Sequence, residues 1–221
     1  MKLRLITIFL IGSIEAASFA AELTKEEMAI NGRISTANSA WSVSPSGLGL
    51  DLGVKRNSGT GISSTWTHLG VSKGIIWPVT VGVNFAANEP LLAHQLGGWA
   101  QYSILQVAKF PSLAGRIKYS ECYFGSTSRS KNWGAEALIS YGIGPVSLLA
   151  AAEINRSNLS IEETLENDEE SISSISNSTL LQHIQTYGIS LQLGYLAKFS
   201  INRSMTKNRG STVSGQLQFE M

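Results

Sequence analysis

From Leu48 to Met221, apolar residues recur at every second position in a series of segments. Leu48, Leu50, Leu52 and Val54 alternate with Gly47, Gly49, Asp51, Gly53 and Lys55. The same period runs through Ile75 to Phe85, Trp133 to Tyr141, Tyr187 to Tyr195 and Val213 to Met221. A period of two puts successive side chains on opposite faces of a strand, so each segment predicts a strand with one apolar and one polar face. Weaker segments near 63–71, 95–105, 113–124, 146–154 and 198–206 fill the gaps. The expectation is about ten strands. Eight or twelve are the alternatives, if a weak segment is miscounted or residues 33–43 add a hairpin.

The links between these segments alternate in kind. Ser72-Lys73-Gly74, the stretch near Lys109 to Ser112, Gly142 to Pro145, and Leu196-Ala197 are short. The other links, Lys55 to Gly61, Ala87 to His94, Gly125 to Asn132, Asn155 to Gln185 and Lys207 to Gly210, are mostly longer or more polar. Pro78 falls inside a predicted strand, where its missing N–H suits a strand end or a bulge. The pattern predicts an all-β, antiparallel, up-and-down sheet with short turns at one rim and longer loops at the other.

Composition bears on where the apolar faces point. Charged residues make up 15% of the chain, against roughly 25% for soluble domains. Yet the longest weakly polar stretch, Ile143 to Ile154, is interrupted by Pro145 and Ser147 and is too short for a helical span. A chain like this crosses a bilayer only as a closed barrel, which satisfies every backbone N–H and C=O within the sheet. The single cysteine, Cys122, makes no internal disulfide, and a closed sheet is another source of rigidity.

The amino terminus predicts export. Lys2 and Arg4 precede an apolar run from Leu5 to Ile14, and Ser18 and Ala20 follow as small residues. That is the layout of a signal peptide over residues 1–20, cleaved after Ala20. The formal charge of +1 becomes zero when this segment, with two basic residues and one acid (Glu15), is removed. No basic patch points to nucleic acid. Residues 21–45 are expected as a periplasmic segment ahead of the barrel. Within it Thr24 and Glu27 form a capping box for a short helix, either filling the periplasmic mouth or fraying. Residues 155–185 read as a long acidic outer loop, with Glu162, Glu163, Glu166, Asp168, Glu169 and Glu170 followed by serines.

Over residues 46–221 the pattern resembles the bacterial outer-membrane β-barrel proteins, without pointing to a narrower subfamily. The last strand runs to the final residue through Leu217, Phe219 and Met221. Members of that superfamily end in such a strand, recognised by the barrel-assembly machinery, and most end on an aromatic residue; here the aromatic is Phe219 and the last residue Met221. Aromatic residues also fall where interfacial girdles are expected. Trp77, Tyr141, Tyr195 and Phe219 are placed at the periplasmic ends, and Phe85, Tyr123, Trp133 and Tyr187 at the outer ends. The resemblance implies a porin-like transmembrane β-barrel in the outer membrane of a Gram-negative envelope. Its expected partners are membrane lipid and lipopolysaccharide.

Candidate chemistry is concentrated on the polar face. Asp51, Lys55, Arg116, Lys118, Glu136 and Glu153 are expected to line the lumen, as a structural polar plug or as the filter of a narrow selective path. No cofactor, metal or catalytic residue is assigned. The histidines His68, His94 and His183 have no sequence-adjacent acid, and Asp168 is the remaining aspartate for an Asp–His pair at the outer rim. The acidic run lacks the spacing of a calcium loop. Cys122 reads as a small inward-facing filler. The leading expectation is a non-enzymatic outer-membrane barrel, either channel or surface protein. Two alternatives stand beside it: a soluble secreted or periplasmic barrel holding an apolar ligand, and a barrel-embedded lipid- or peptide-modifying hydrolase.

Overall fold

The computed structural model describes residues 24–33, 47–58, 63–89, 91–106, 110–167, 170–194, 196–206 and 210–221. The expected signal peptide, Asp168 and Tyr195 lie outside the described residues. Ten strands follow in order: β1 (Leu48–Ser58), β2 (Ser63–Ile76), β3 (Val79–Asn88), β4 (Ala93–Leu105), β5 (Ser112–Phe124), β6 (Ser128–Ile143), β7 (Val146–Asn167), β8 (Glu170–Leu193), β9 (Ala197–Thr206) and β10 (Ser211–Glu220). Each pairs antiparallel with its sequence neighbours. β1 then pairs with β10, from Gly49 opposite Glu220 to Ser58 opposite Ser211, and closes the barrel. Closure leaves the barrel wall itself without an edge strand.

An even strand number brings the start of β1 and the end of β10 to one rim. That rim also carries the turns at Trp77-Pro78 and Gly144-Pro145; the opposite, outer rim carries the β1–β2, β3–β4 and β5–β6 connections. The first turn falls later than the sequence predicts. β2 continues through Ser72-Lys73-Gly74 to Ile76, and Trp77-Pro78 is the turn, so Pro78 sits where no ladder amide is needed.

A larger difference concerns residues 155–185. The sequence reading makes them a loop, whereas β7 and β8 stay paired from Val146–Leu191 out to Asn167–Glu170. Acid and serine content masks a surviving period of two. Leu159 is buried, and Ile161 and Leu180 pack against the same apolar cluster. β6 stops pairing at Ser128–Ile161 and β9 at Thr206–Ile184. The far end of the hairpin is therefore a two-stranded arm standing beyond the wall.

The amino-terminal segment also differs from expectation. Helix α1 (Lys25–Gly32) has the predicted capping box: the Glu27 N–H donates to Thr24 Oγ1 at 3.2 Å, and the Thr24 N–H donates to Glu27 Oε2 at 2.9 Å. It does not sit at the periplasmic mouth. Met28 and Ala29 pack with Trp66, Leu91 and Phe124. Leu91 belongs to the β3–β4 connection and Phe124 ends β5, so α1 occupies the outer half of the lumen. An isolated helix of eight residues is unstable in water. Packing inside the wall supplies what length does not.

Candidate functional site: the polar lumen and its plug

Residues two apart on a strand share a face, so Arg116 and Lys118 on β5 both project into the lumen. Register then aligns Arg116 with Glu136 on β6 and Glu136 with Glu153 on β7. These four side chains form one buried network. Glu136 Oε2 accepts from Arg116 Nη1 at 3.2 Å and lies 3.3 Å from Lys118 Nζ; Lys118 Nζ donates to Glu153 Oε2 at 2.6 Å. Arg116 Nε also donates to Gln101 Oε1 at 3.1 Å, and its guanidinium lies 5.0 Å from the Trp99 ring centre. Opposite Lys118 stands Gly134, where an added Cβ would lie 2.8 Å from Glu153 Oε1. The glycine makes room for the carboxylate.

The helix ties into this network from above. Arg33, just past α1, donates to Glu153 Oε2 at 3.4 Å. Lys55 Nζ donates to the carbonyls of Asn31 at 3.2 Å and Arg33 at 2.8 Å. These are orphan acceptors at a helix C-terminus, where a cation also complements the dipole. The Gly32 carbonyl accepts from Ser120 Oγ at 2.7 Å, from Asn132 Nδ2 at 2.9 Å, and from Gln95. Asn31 Oδ1 accepts from Ser64 Oγ at 2.6 Å and Trp66 Nε1 at 2.9 Å, and also from Asn57. A Cβ at Gly32 would lie 2.5 Å from Asn132 Nδ2, so this close docking needs glycine.

All six charged residues expected in the lumen are on the inner face. The structure brings Arg116, Lys118, Glu136 and Glu153 together and gives Lys55 to the helix carbonyls. Asp51 stands apart on β1, fully buried, with Oδ1 lacking a hydrogen-bond partner among the described residues. Sequence reasoning missed Arg33, Asn31, Gln101 and Trp99. Gln101 and Trp99 follow the same two-residue period on β4, but Arg33 and Asn31 lie on or beside a helix whose docking leaves no local signal. Among the described residues, the fully buried charges balance. Glu27, Asp51, Glu136 and Glu153 face Arg33, Lys55, Arg116 and Lys118 in a confined, low-dielectric space where unpaired charge is costly.

The histidines expected as catalytic candidates separate widely. His68 faces inward, 3.0 Å from Gln216 Nε2; His94 stacks on Tyr123 with ring centres 5.0 Å apart; His183 is exposed on the outer face. Cys122 is buried in the apolar cluster around α1.

The outer surface is the inverse of the inner one. Leu52, Val54, Val83, Leu96, Ile117, Ile139, Ile154 and Ile201 are each 42–65% exposed, while Asp51, Lys55, Asn84, Gln95, Arg116, Asn155 and Asn202 are each at most 4% exposed. Water does not tolerate so continuous an apolar face around a closed wall; hydrocarbon does. The chain is a closed ten-stranded β-barrel whose apolar outer wall suits a membrane. Trp77, Phe85, Trp133, Tyr141 and Tyr187 all lie exposed on that apolar face, and Tyr123 and Phe219 are half-buried on it. Because β8 begins at Glu170, Tyr187 lies well inside its strand rather than at the end. Tyr102 and Tyr119 are further outward-facing aromatics that the sequence reading passed over.

No protein-family model and no curated protein sequence matches this barrel. Solved structures of similar shape include the KdgM porin, at 7% identity and TM-score 0.41, covering 76% of this chain and 98% of the other. Neisserial surface protein A follows at 12% identity and TM-score 0.36, covering 83% and 99%. The translocator domain of autotransporter NalP from Neisseria meningitidis has 8% identity and TM-score 0.43, covering 94% and 96%.

Proposed function

We propose that this protein is a non-enzymatic outer-membrane anchor with a sealed lumen, which presents the β7–β8 arm outside the cell. The observation carrying this reading is α1 inside the outer half of the barrel, bonded through Asn31, Gly32 and Arg33 to the wall. Beneath it the Arg116–Glu136–Lys118–Glu153 network lines the β5–β7 side of the lumen with paired charges. In a barrel of this size, side chains and one helix fill the interior. The arm beyond Ile161 reaches roughly 20 Å at a strand rise of about 3.4 Å per residue.

A narrow channel is the second reading, favoured by the same charges facing the lumen. Conductance across a planar bilayer separates the two. The full chain is expected to give a closed baseline, unaltered by Arg116→Gln or Glu136→Gln. A steady single-channel current that changes selectivity on either substitution would make the network a filter and sink the sealed reading.

A further inference from the structure

A groove of about 850 Å³ crosses the lipid side of β4 to β8. It follows the register rather than the strands. One row of cross-strand neighbours runs Tyr102, Gly115, Ala137, Ala152, Gln185. The three central members project a methyl or nothing, and a Cβ built on Gly115 meets no atom within 4 Å. The groove floor is thus backbone, in a surface otherwise studded with leucine and isoleucine. Four strand-to-strand steps of about 4.8 Å make it roughly 19 Å long. Strand tilt carries it obliquely through the bilayer, from Tyr102 near the turn-side end of β4 to Gln185 far above the turn-side end of β8.

Its upper end is polar. His183 and Gln185 face outward on β8, and both line the groove. Next along β7 comes Arg156, paired in register with Trp133; Lys131 is one outward position beyond Trp133. Neither cation makes an ion pair among the described residues. The neighbouring carboxylate, Glu121, is already occupied by Arg129 and by the hydroxyls of Tyr119 and Tyr123. Two uncommitted cations beside an exposed tryptophan, above an apolar trough, ask for an anion attached to hydrocarbon.

We propose that this groove binds one phosphate-bearing membrane lipid. An acyl chain lies across Gly115, Ala137 and Ala152. The carbonyls linking chain to headgroup meet His183 and Gln185, and the phosphate meets Arg156 and Lys131. The wider apolar band only solvates bulk lipid; here shape and charge coincide at one place. The site is on the outer wall and does not depend on whether the lumen is sealed.

Native mass spectrometry of the detergent-purified full chain tests this, with phosphatidylglycerol, a diacylglycerol of the same chains, and inorganic phosphate as probes. One phosphatidylglycerol is expected to stay bound per barrel, with diacylglycerol weaker by about tenfold or more and phosphate alone unretained. Arg156→Gln with Lys131→Gln should bring phosphatidylglycerol down to the diacylglycerol level. Ala137→Phe with Ala152→Phe should abolish retention of both lipids. Ala152→Leu alone is the milder filler if the double variant misfolds, and heat-shifted gel migration reports folding in each case. Variants that hold phosphatidylglycerol like the parent, or a parent that holds diacylglycerol equally well, would overturn the site. Retention of phosphate alone would reduce it to an anion patch without a lipid groove.

Discussion

Glu153 illustrates how much a single side chain carries in a confined polar interior. Its Oε2 serves both Lys118 and Arg33, at 2.6 and 3.4 Å, with the carboxylate almost fully buried. Removing one partner of a buried ion pair leaves uncompensated charge, which costs roughly 3–5 kcal/mol. Glu153→Gln is therefore expected to lower the unfolding free energy by an amount in that range, read as a lower urea midpoint at unchanged slope. The outer-face pair of Arg129 and Glu121 is more exposed, and a pair of that kind is worth at most about 1 kcal/mol. Glu121→Gln should thus move the midpoint far less. Equal effects from the two substitutions would mean that the interior is wetter than the contacts imply.

At the scale of elements, α1 depends on the wall rather than on its own propensity. Asn31 Oδ1 takes bonds from Asn57, Ser64 and Trp66 on β1 and β2. Asn31→Ala strips the Asn57 and Ser64 donors of this acceptor and leaves Trp66 Nε1 only its 3.3 Å bond to Ser64 Oγ; each buried donor left unmet costs about 1–3 kcal/mol. Hydrogen exchange of the α1 amides is expected to accelerate at least tenfold, while the β-ladder amides keep their protection. Uniform acceleration would show that helix and wall unfold together. This element also marks the limit of what the sequence discloses. The capping box at Thr24 and Glu27 is readable because it is local. That Met28 and Ala29 face Trp66 and Phe124 is not, because the partners lie far along the chain and no period links them. The β7–β8 hairpin was hidden for a different reason: its acids and serines read as solvated loop, although Leu159, Ile161 and Leu180 keep strand spacing. By contrast, Arg116, Lys118, Glu136 and Glu153 were all legible as inward-facing, since alternation alone fixes the face.

For the whole molecule, closure matters more than strand length. The β1–β10 ladder is the seam on which the absence of an edge depends, and Gly215 sits within it between Val54 on β1 and Ile201 on β9. Gly215→Pro removes a ladder donor and forces the strand geometry. It is expected to abolish the fast-migrating folded band on unheated SDS gels. Ile175→Pro lies in the arm, opposite Glu162 and past the end of the β6 ladder, and should leave that band intact. If both variants lose the band, the arm is part of the barrel's stability rather than an appendage to it.

One feature of the interior constrains how the protein is put together. An α-helix with its side chains is roughly 10–12 Å across, whereas the passage below α1 is crowded by Arg116, Glu136, Lys118 and Glu153. Those side chains stand in the way of a helix entering after the hoop is complete. Zipping of Gly49–Ser58 onto Ser211–Glu220 is therefore expected to come after the strands have wrapped around the amino-terminal stretch.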